Sequence, residues 1–151
     1  ELDNEIGDHF VKKGQEFGTV TKRKRRCGWF DTVLVGQSIA INGITDVVLT
    51  KLDVLDELEE IQVCVGYETK HKKYNYLPFD ENIQNILMPI YETIPGWQES
   101  TFGLTSWDDL PKKAQDYISF LESKIQKNIS IISTGPDRAH TIDRNNLLGN
   151  N

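Results

Sequence analysis

The stretch that most constrains the fold is a helical repeat of apolar residues followed at once by a short apolar run. Between residues 111 and 127, apolar side chains recur at helical spacing, and Pro111 suits the first turn of a helix. Residues 129–132 (ISII) are typical of a strand buried on both faces. A helix that leads into such a strand is half of a βαβ unit. The sequence therefore predicts an α/β fold with a mostly parallel sheet flanked by helices.

The segment 31–42 is the most ambiguous part of the chain. Its β-branched content fits a strand, but its length and its close in Asn42-Gly43 favour a helix with Asp31 or Thr32 as N-cap. We expect a helix there and a further one over residues 3–13, capped by Gly14. The length of 151 residues predicts a single domain over residues 1–151.

Three further segments are expected to be strands. Residues 46–50 (DVVLT) are nearly all apolar, which predicts burial on both faces. Residues 89–95 are bounded by proline at both ends, which marks the limits of a strand. Residues 60–67 alternate, and this pattern places one set of side chains on a single face: Ile61, Val63, Val65 and Tyr67.

Five consecutive basic residues, 22–26 (KRKRR), form what we call the basic run. The chain holds 17 Lys and Arg against 23 Asp and Glu, so the run is unusual in its surroundings and repels itself. Gly18 and Gly28 bracket the run, and Trp29 anchors its far end, which favours a loop that closes on an anionic ligand. A solvated loop or a nucleic-acid patch is the alternative. The net charge of −6 argues against general affinity for nucleic acid.

Small or charged residues follow two of the expected strands. We call Lys51-Leu52-Asp53 the first strand end and Ser133-Thr134-Gly135 the second strand end. In an open α/β sheet, ligands bind beyond the carboxyl ends of strands, where a carboxylate is able to accept two hydrogen bonds from the edge of a guanine. The plainer alternative is that Asp53 caps a turn and Gly135 merely turns the chain.

The hydropathy of the sequence and its two cysteines indicate the cellular setting of the protein. The sequence has no apolar run of membrane-spanning length, and its first ten residues lack the pattern of a secretory signal, so we expect a cytoplasmic protein. Cys27 and Cys64 lack metal-ligand spacing, and a reduced setting is the simplest interpretation. Cys27 lies beside Arg25 and Arg26, which is compatible with a lowered thiol pKa, but a structural thiol is favoured.

Five segments, in this order along the chain, carry a resemblance to a known family. They are GQEFGTVTKRKRRCGWFDTV, LTKLDVLD, PIYETIPGWQEST, LPKKAQDYISFLE and IISTGPDR, and they extend from Gly14 to Arg138. Their order and separations resemble the C-terminal third of the adenylosuccinate synthetases. The resemblance implies the C-terminal part of that family's P-loop-NTPase-like fold.

The family resemblance also implies a reaction. Its members join IMP to L-aspartate at the expense of GTP, with magnesium, in AMP biosynthesis. GTP phosphorylates the 6-oxygen of IMP, and the aspartate amine then displaces phosphate to give adenylosuccinate. The expected partners are therefore IMP, L-aspartate and GTP, and the expected assembly is a homodimer.

The resemblance assigns ligands to individual residues. The aspartate and IMP loop is matched by Thr19, Val20, Thr21, Lys22 and Arg23, with Arg23 also reaching IMP. The GTP side is matched by Arg25, Lys51, Leu52, Asp53, Ser133, Thr134 and Gly135, with Pro136 beside the base. This chain departs from the family pattern where Val20 replaces a threonine and Lys22 replaces a glycine. A lost hydroxyl puts one aspartate contact in doubt.

Part of the family pattern does not occur in this sequence. There is no glycine-rich phosphate loop of the GDEGKGK type, and His9, His71 and His140 do not match the family's catalytic histidine. We therefore expect no catalytic residue and no magnesium ligand in this chain, and no ligase activity from it alone. Two other function classes remain open at this stage: a non-catalytic module that retains the fold, and a nucleic-acid-binding module built on the basic run.

Overall fold

The structure, a computed structural model, describes residues 1–149 and contains two small sheets. The first sheet is formed by β1 (Phe30–Asp31), β3 (Glu60–Glu68), β4 (Lys73–Tyr74) and β5 (Met88–Pro95). The second sheet is formed by β2 (Val47–Leu49), β6 (Ile129–Ser133) and β7 (Thr141–Asp143), in the order β2-β6-β7. The helices are α1 (Glu5–Lys13), α2 (Thr32–Asn42), α3 (Glu81–Gln84) and α4 (Lys112–Ile125). None of the helices within residues 1–149 has the length and apolar character needed to cross a membrane.

The expected α/β class is confirmed, but the expectation of a mostly parallel sheet is wrong. The pairs β1–β3 and β2–β6 are parallel, whereas β3–β4, β3–β5 and β6–β7 are antiparallel. The reason lies in the connections, because a parallel neighbour needs a long crossover. The links from β6 to β7 (residues 134–140) and from β3 to β4 (residues 69–72) are too short for such a crossover.

The segment 31–42 is a helix, as its length and its glycine stop indicated. The Asp31 side chain caps α2 by accepting a hydrogen bond from the amide of Leu34 at 2.9 Å, and its second carboxylate oxygen accepts the hydroxyl of Tyr67 on β3. Gly43 ends the helix in the left-handed region, with φ of 63°. The predicted α1 is also present, with Gly14 as its C-cap.

The main core forms where α4 covers the second sheet and the adjoining part of β3. The apolar positions that predicted α4 are all buried: Ala114, Tyr117, Ile118, Leu121 and Ile125. They lie in one cluster with Ile129 and Ile132 of β6, both of which are fully buried. The helical periodicity thus identified the face that the sheet covers.

Two expectations about strand burial need correction. β2 was expected to be covered on both faces, yet Val48 is 55% exposed, because β2 is the edge strand of its sheet within residues 1–149. In β3, the register with β5 shifts between Cys64 and Gly66. This irregularity interrupts the alternation, so Cys64 is buried and Val65 is only partly buried.

Two glycines of α2 provide a matched test of backbone conformation. A Cβ atom added at Gly36 or at Gly43 would meet no other atom within 4 Å, so neither substitution is opposed by packing. We expect Gly43→Ala to lower the free energy of unfolding by about 1–2 kcal/mol, because its φ is in the left-handed region. Gly36→Ala, inside the helix, should raise it by about 0.5–1 kcal/mol. Urea unfolding of both variants checks this, and equal effects of the two would contradict the conformational assignment.

Candidate functional site

The two strand ends leave the second sheet side by side. β2 and β6 are parallel neighbours, with Val47 opposite Ile129 and Leu49 opposite Ile132. Their carboxyl ends therefore point to the same edge, where the first and second strand ends begin. The two segments that the resemblance assigns to GTP therefore follow strands that end at one sheet edge. In an open α/β sheet, such an edge is a usual place for a ligand to bind.

The first strand end holds its aspartate in a half-buried position, with no hydrogen bond to its carboxylate from any other residue of the part of the chain that the structure describes. Lys51 adopts the left-handed conformation with φ of 62°, and the next residue, Leu52, is 1% exposed and fixes the turn in the core. Within residues 1–149, the Asp53 carboxylate contacts only its own amide as a hydrogen-bond donor, and burial raises the pKa of this carboxyl. The structure does not support the alternative of a turn cap, and it leaves Asp53 free to accept hydrogen bonds from a ligand.

The second strand end is held by contacts that use most of its own polar groups. Thr134 is fully buried and donates its hydroxyl to the carbonyl of Leu104 at 2.8 Å. Its amide and its carbonyl are bonded to His140 and Gly103. Ser133 donates its hydroxyl to the carbonyl of Gly135 at 2.9 Å. The hydrogen bonds of Thr134 therefore hold the conformation of this segment.

Gly135 occurs at a place where a side chain has no room. A Cβ atom there would lie 2.6 Å from Nδ1 of His140 and 3.2 Å from the ring of Phe102. Those two rings pack edge to face, with centroids 5.0 Å apart. A glycine at this position keeps the backbone surface open next to Pro136, which is exposed.

Sequence reasoning missed a buried carboxylate that links the two strand ends. Asp56 follows the first strand end by three residues and is 8% exposed. It accepts hydrogen bonds from the indole of Trp97 at 2.8 Å and from the amide and hydroxyl of Thr101, each at 2.7 Å. The same loop, residues 96–104, contacts the second strand end through the bond from the Gly103 amide to the Thr134 carbonyl. Trp97 of this loop was the available signal, because a buried indole N–H needs an acceptor.

The basic run lies in a short exposed hairpin over residues 17–26, which we call the basic hairpin. Phe17 and Lys24 form an antiparallel bridge, and the amide of Gly18 donates to the carbonyl of Arg23 at 2.8 Å. Lys22 sits at the turn in the left-handed region, with φ of 55°. Glycine takes this conformation without a steric cost, so the lysine here is a strained choice. Val20 is 90% exposed and has no hydroxyl to offer a ligand.

Of the five cations in the basic run, three pair with carboxylates and two have no carboxylate partner within residues 1–149. Lys24 pairs with Asp8, Arg25 with Glu16 at 3.2 Å, and Arg26 with Glu1 at 3.3 Å. Within residues 1–149, Lys22 and Arg23 have no carboxylate partner. The hairpin therefore presents Thr19, Thr21, Lys22 and Arg23 at an exposed tip, while its base is fixed to the rest of the chain.

The base of the basic hairpin and the first strand end border one cavity of about 390 Å³. Its charged lining comes from Glu16, Arg25, Arg26 and Lys51, and its apolar lining includes Phe10, Trp29, Leu52 and Tyr117. Trp29, the expected anchor of the run, packs edge to face on Phe10 of α1 with centroids 5.2 Å apart. The base of the basic hairpin and the first strand end are thus adjacent in space, although 24 residues separate Arg26 from Lys51.

Comparison with known proteins decides which family this arrangement belongs to. The model of the family described as adenylosuccinate synthetase matches residues 1–142. The chain belongs to the adenylosuccinate synthetase family. The resemblance inferred from the five sequence segments is therefore confirmed, and the matched portion is the C-terminal part of the family's proteins.

Individual members of the adenylosuccinate synthetase family agree closely with this chain. Adenylosuccinate synthetases of Coxiella burnetii, strains Dugway 5J108-111 and RSA 331, are 51% identical over 144 residues, covering 95% of this chain and 33% of theirs. The solved structure of fully ligated adenylosuccinate synthetase from Plasmodium falciparum is 39% identical, with a TM-score of 0.89, and the match covers 95% of this chain and 35% of that one. The chain thus spans about a third of the length of the relatives it matches.

Two further chemical features bear on what this adenylosuccinate synthetase portion does by itself. Burial raises the pKa of the Cys27 thiol, so the alternative of an activated thiol beside the arginines is wrong, and the pKa of buried Cys64 is raised to about 11. Among residues 1–149, no group of three or more His, Cys, Asp or Glu side chains is placed to hold a metal ion. We therefore assign no magnesium ligand to the described residues.

The Asp56 network predicts a large stability effect. Asp56→Ala leaves the indole N–H of Trp97 and two donors of Thr101 buried without partners, so we expect a loss of about 3–5 kcal/mol in the free energy of unfolding. Asp56→Asn keeps one acceptor and should lose about half as much. Urea unfolding measures both, with Asp109→Ala on the exposed surface as a control expected to change by less than about 0.5 kcal/mol. A loss below 1 kcal/mol for Asp56→Ala would contradict the network.

The raised pKa of Asp53 predicts that its contribution to the free energy of unfolding falls as pH rises, whereas that of an ordinary paired carboxylate increases. Its pKa is raised on folding by burial, so the folded chain holds the proton more tightly than the unfolded chain. The stability contribution of Asp53 is therefore greatest below its unfolded pKa of about 3.9 and is lost as pH rises through the folded pKa. We expect Asp53→Asn to raise the melting temperature at pH 7, and the gain to disappear near pH 3.5. Thermal melts across pH, with Asp109→Asn as the control, check this, and a gain that persists at low pH would refute it.

Proposed function

We propose that this chain is the portion of a GTP-dependent IMP–aspartate ligase that recognises guanine and carries the aspartate loop. The observation that carries the proposal is the parallel pairing of β2 and β6, which brings the ends of the strands that lead to Asp53 and Gly135 to the same sheet edge. The carboxylate of Asp53 accepts no hydrogen bond there from another residue within 1–149. Membership of the adenylosuccinate synthetase family supports the same assignment.

In the proposed site, the first strand end selects the base. The ring N–H and the exocyclic amino group of guanine both donate from one edge, and the two oxygens of Asp53 accept them. Adenine lacks that pair of donors, so binding it would leave the half-buried carboxylate unpaired, which is costly. Ser133 and the backbone of Gly135 contact the base from the second strand end, and Pro136 and the stem of Lys51 cover its faces.

The basic hairpin is proposed to bind the acidic substrates. Arg23 stands at the exposed tip without a carboxylate partner within the described residues, and its guanidinium suits a carboxylate or phosphate in a two-pronged contact. We assign the tip residues Thr19, Val20 (through its backbone), Thr21, Lys22 and Arg23 to L-aspartate, with Arg23 also at IMP. Arg25, nearer the cavity, is assigned to the GTP side.

The proposed reaction has two steps. The terminal phosphoryl group of GTP moves to the 6-oxygen of IMP, and the amine of L-aspartate then displaces phosphate, giving adenylosuccinate, GDP and phosphate. This chain positions the nucleotide and the amino acid, and Arg23 stabilises charge as it shifts among the phosphoryl and carboxylate groups. Magnesium, with ligands outside the described residues, belongs to the proposal as the ion that neutralises phosphate charge. The proposed working form is a cytoplasmic homodimer.

The charge pattern argues against the nucleic-acid alternative. Three of the five cations of the basic run pair with carboxylates of the same chain, which leaves only two for a polyanion. Phosphate-backbone binding usually recruits many cations along one face.

Kinetics of two variants in the complete enzyme test the proposal. Arg23→Leu should lower turnover by about 10²-fold or more, with the Michaelis constant for GTP changed little, because its charge acts at the reacting groups. Asp53→Ala should mainly raise the Michaelis constant for GTP, by about 10²-fold, and relax the preference for GTP over ATP. Matched controls are Lys70→Leu and Asp109→Ala, an exposed cation and an exposed acid away from both segments. Full guanine selectivity in Asp53→Ala would show that the strand end is assigned wrongly.

A further inference from the structure

We propose that Glu16 is a positioning residue that couples the guanine-binding strand end to the basic hairpin. The inference rests on the proposed function, since it concerns how the two ligand-binding segments of that site act together. No residue of the predicted ligand set performs this task, and Glu16 is absent from that set.

The carboxylate of Glu16 joins the two segments with one oxygen for each. Its Oε2 accepts a hydrogen bond from Nη1 of Arg25, in the basic hairpin, at 3.2 Å. Its Oε1 accepts a hydrogen bond from Nζ of Lys51, in the first strand end. The side chain is only 22% exposed, so solvent screens these pairs less than it screens the other pairs of the hairpin. The bond from Lys51, together with that from Arg25, lowers the pKa of Glu16, which keeps it ionised at neutral pH.

Backbone contacts hold Glu16 in place independently of its side chain. Its amide donates to the carbonyl of Val11 at 2.9 Å, and its carbonyl accepts the amide of Arg25 at 2.9 Å. Lys51 also donates to the carbonyl of Gly14 at 2.7 Å. Removing the charge of Glu16 therefore loosens the side-chain link while the hairpin retains its main-chain support.

The charged side chains around the cavity are arranged so that Glu16 is able to couple the two segments. Glu16 lines the same space of about 390 Å³ as Arg25, Arg26 and Lys51. Arg26 pairs with Glu1, so the single charge of Glu16 is left to balance both Arg25 and Lys51. The remaining positive charge favours an anionic ligand group. Because Arg25 and Lys51 bond the two oxygens of one carboxylate, moving either cation toward a ligand changes the position of the other. A ligand at the strand end thereby biases the hairpin, and a ligand at the hairpin biases the strand end by the same factor.

The test measures reciprocity in the complete enzyme. The dissociation constant of a non-hydrolysable GTP analogue is determined with and without saturating L-aspartate and IMP, and the ratio of the two constants is the coupling factor. We expect a factor of about 10 or more in the parent enzyme, and a drop toward 1 in Glu16→Gln, which has nearly the same shape without the charge. The preference for GTP over ATP should not change in Glu16→Gln, because Asp53 is untouched.

Two more variants separate coupling from simple structural support. Asp8→Asn removes the pair with Lys24, which fixes the hairpin to α1 without contacting the strand end, so its coupling factor should stay within twofold of the parent's. Glu16→Asp retains the charge but is one methylene shorter and cannot reach both cations, so it should lose coupling as Glu16→Gln does. If Glu16→Gln fails to fold, the coupling factor of Glu16→Asp tests the role of Glu16 by itself.

The outcomes are distinct. Loss of coupling in both Glu16 variants, with Asp8→Asn unaffected, supports the inference. A coupling factor within twofold of the parent's in Glu16→Gln or Glu16→Asp, or an equal loss in Asp8→Asn, overturns it while leaving the proposed function intact. A parent enzyme that binds no GTP analogue at all overturns both.

Discussion

The candidate site depends on one buried carboxylate, that of Asp56. A charged group with 8% exposure is tolerated in a protein interior only when hydrogen-bond donors surround it, and here the indole of Trp97 and two groups of Thr101 supply three. This contact fixes the loop 96–104 beneath the first strand end, and the same loop supports Thr134 in the second. Without it, two strand ends on neighbouring strands would still be near each other, but their relative height and angle would be undetermined.

Electrostatics explains how a run of five cations exists in this fold. Three acidic residues lie close to the run and pair with its cations. Asp8 lies on α1, Glu16 follows α1, and Glu1 lies beside the end of the hairpin. Pairing of surface charges contributes little stability by itself. Its main consequence is geometric: the base of the hairpin is held, and the unpaired charge is concentrated at the tip. The strained conformation of Lys22 is located at that tip, where a ligand-binding segment commonly carries such strain.

The sequence by itself determined the features that depend on neighbours a few residues apart. Helix α4 followed from its apolar spacing, and α2 followed from the cap at Asp31 and the stop at Gly43, since these interactions operate within one turn. The family resemblance assigned both strand ends to one nucleotide, and the parallel pairing of β2 and β6 agrees with that assignment. The family itself was recognisable from the order of five short segments.

The tertiary structure alone decided the features that join distant residues. The antiparallel pairings and the irregularity in β3 depend on which strand lies alongside, and neither leaves a periodic mark in the sequence. The partners of Asp56 lie 41 and 45 residues away along the chain, and Glu16 meets Lys51 across 35 residues. A carboxylate in a sequence looks the same whether it faces solvent or accepts three hydrogen bonds. Only the packing of the whole chain brings its donors within reach.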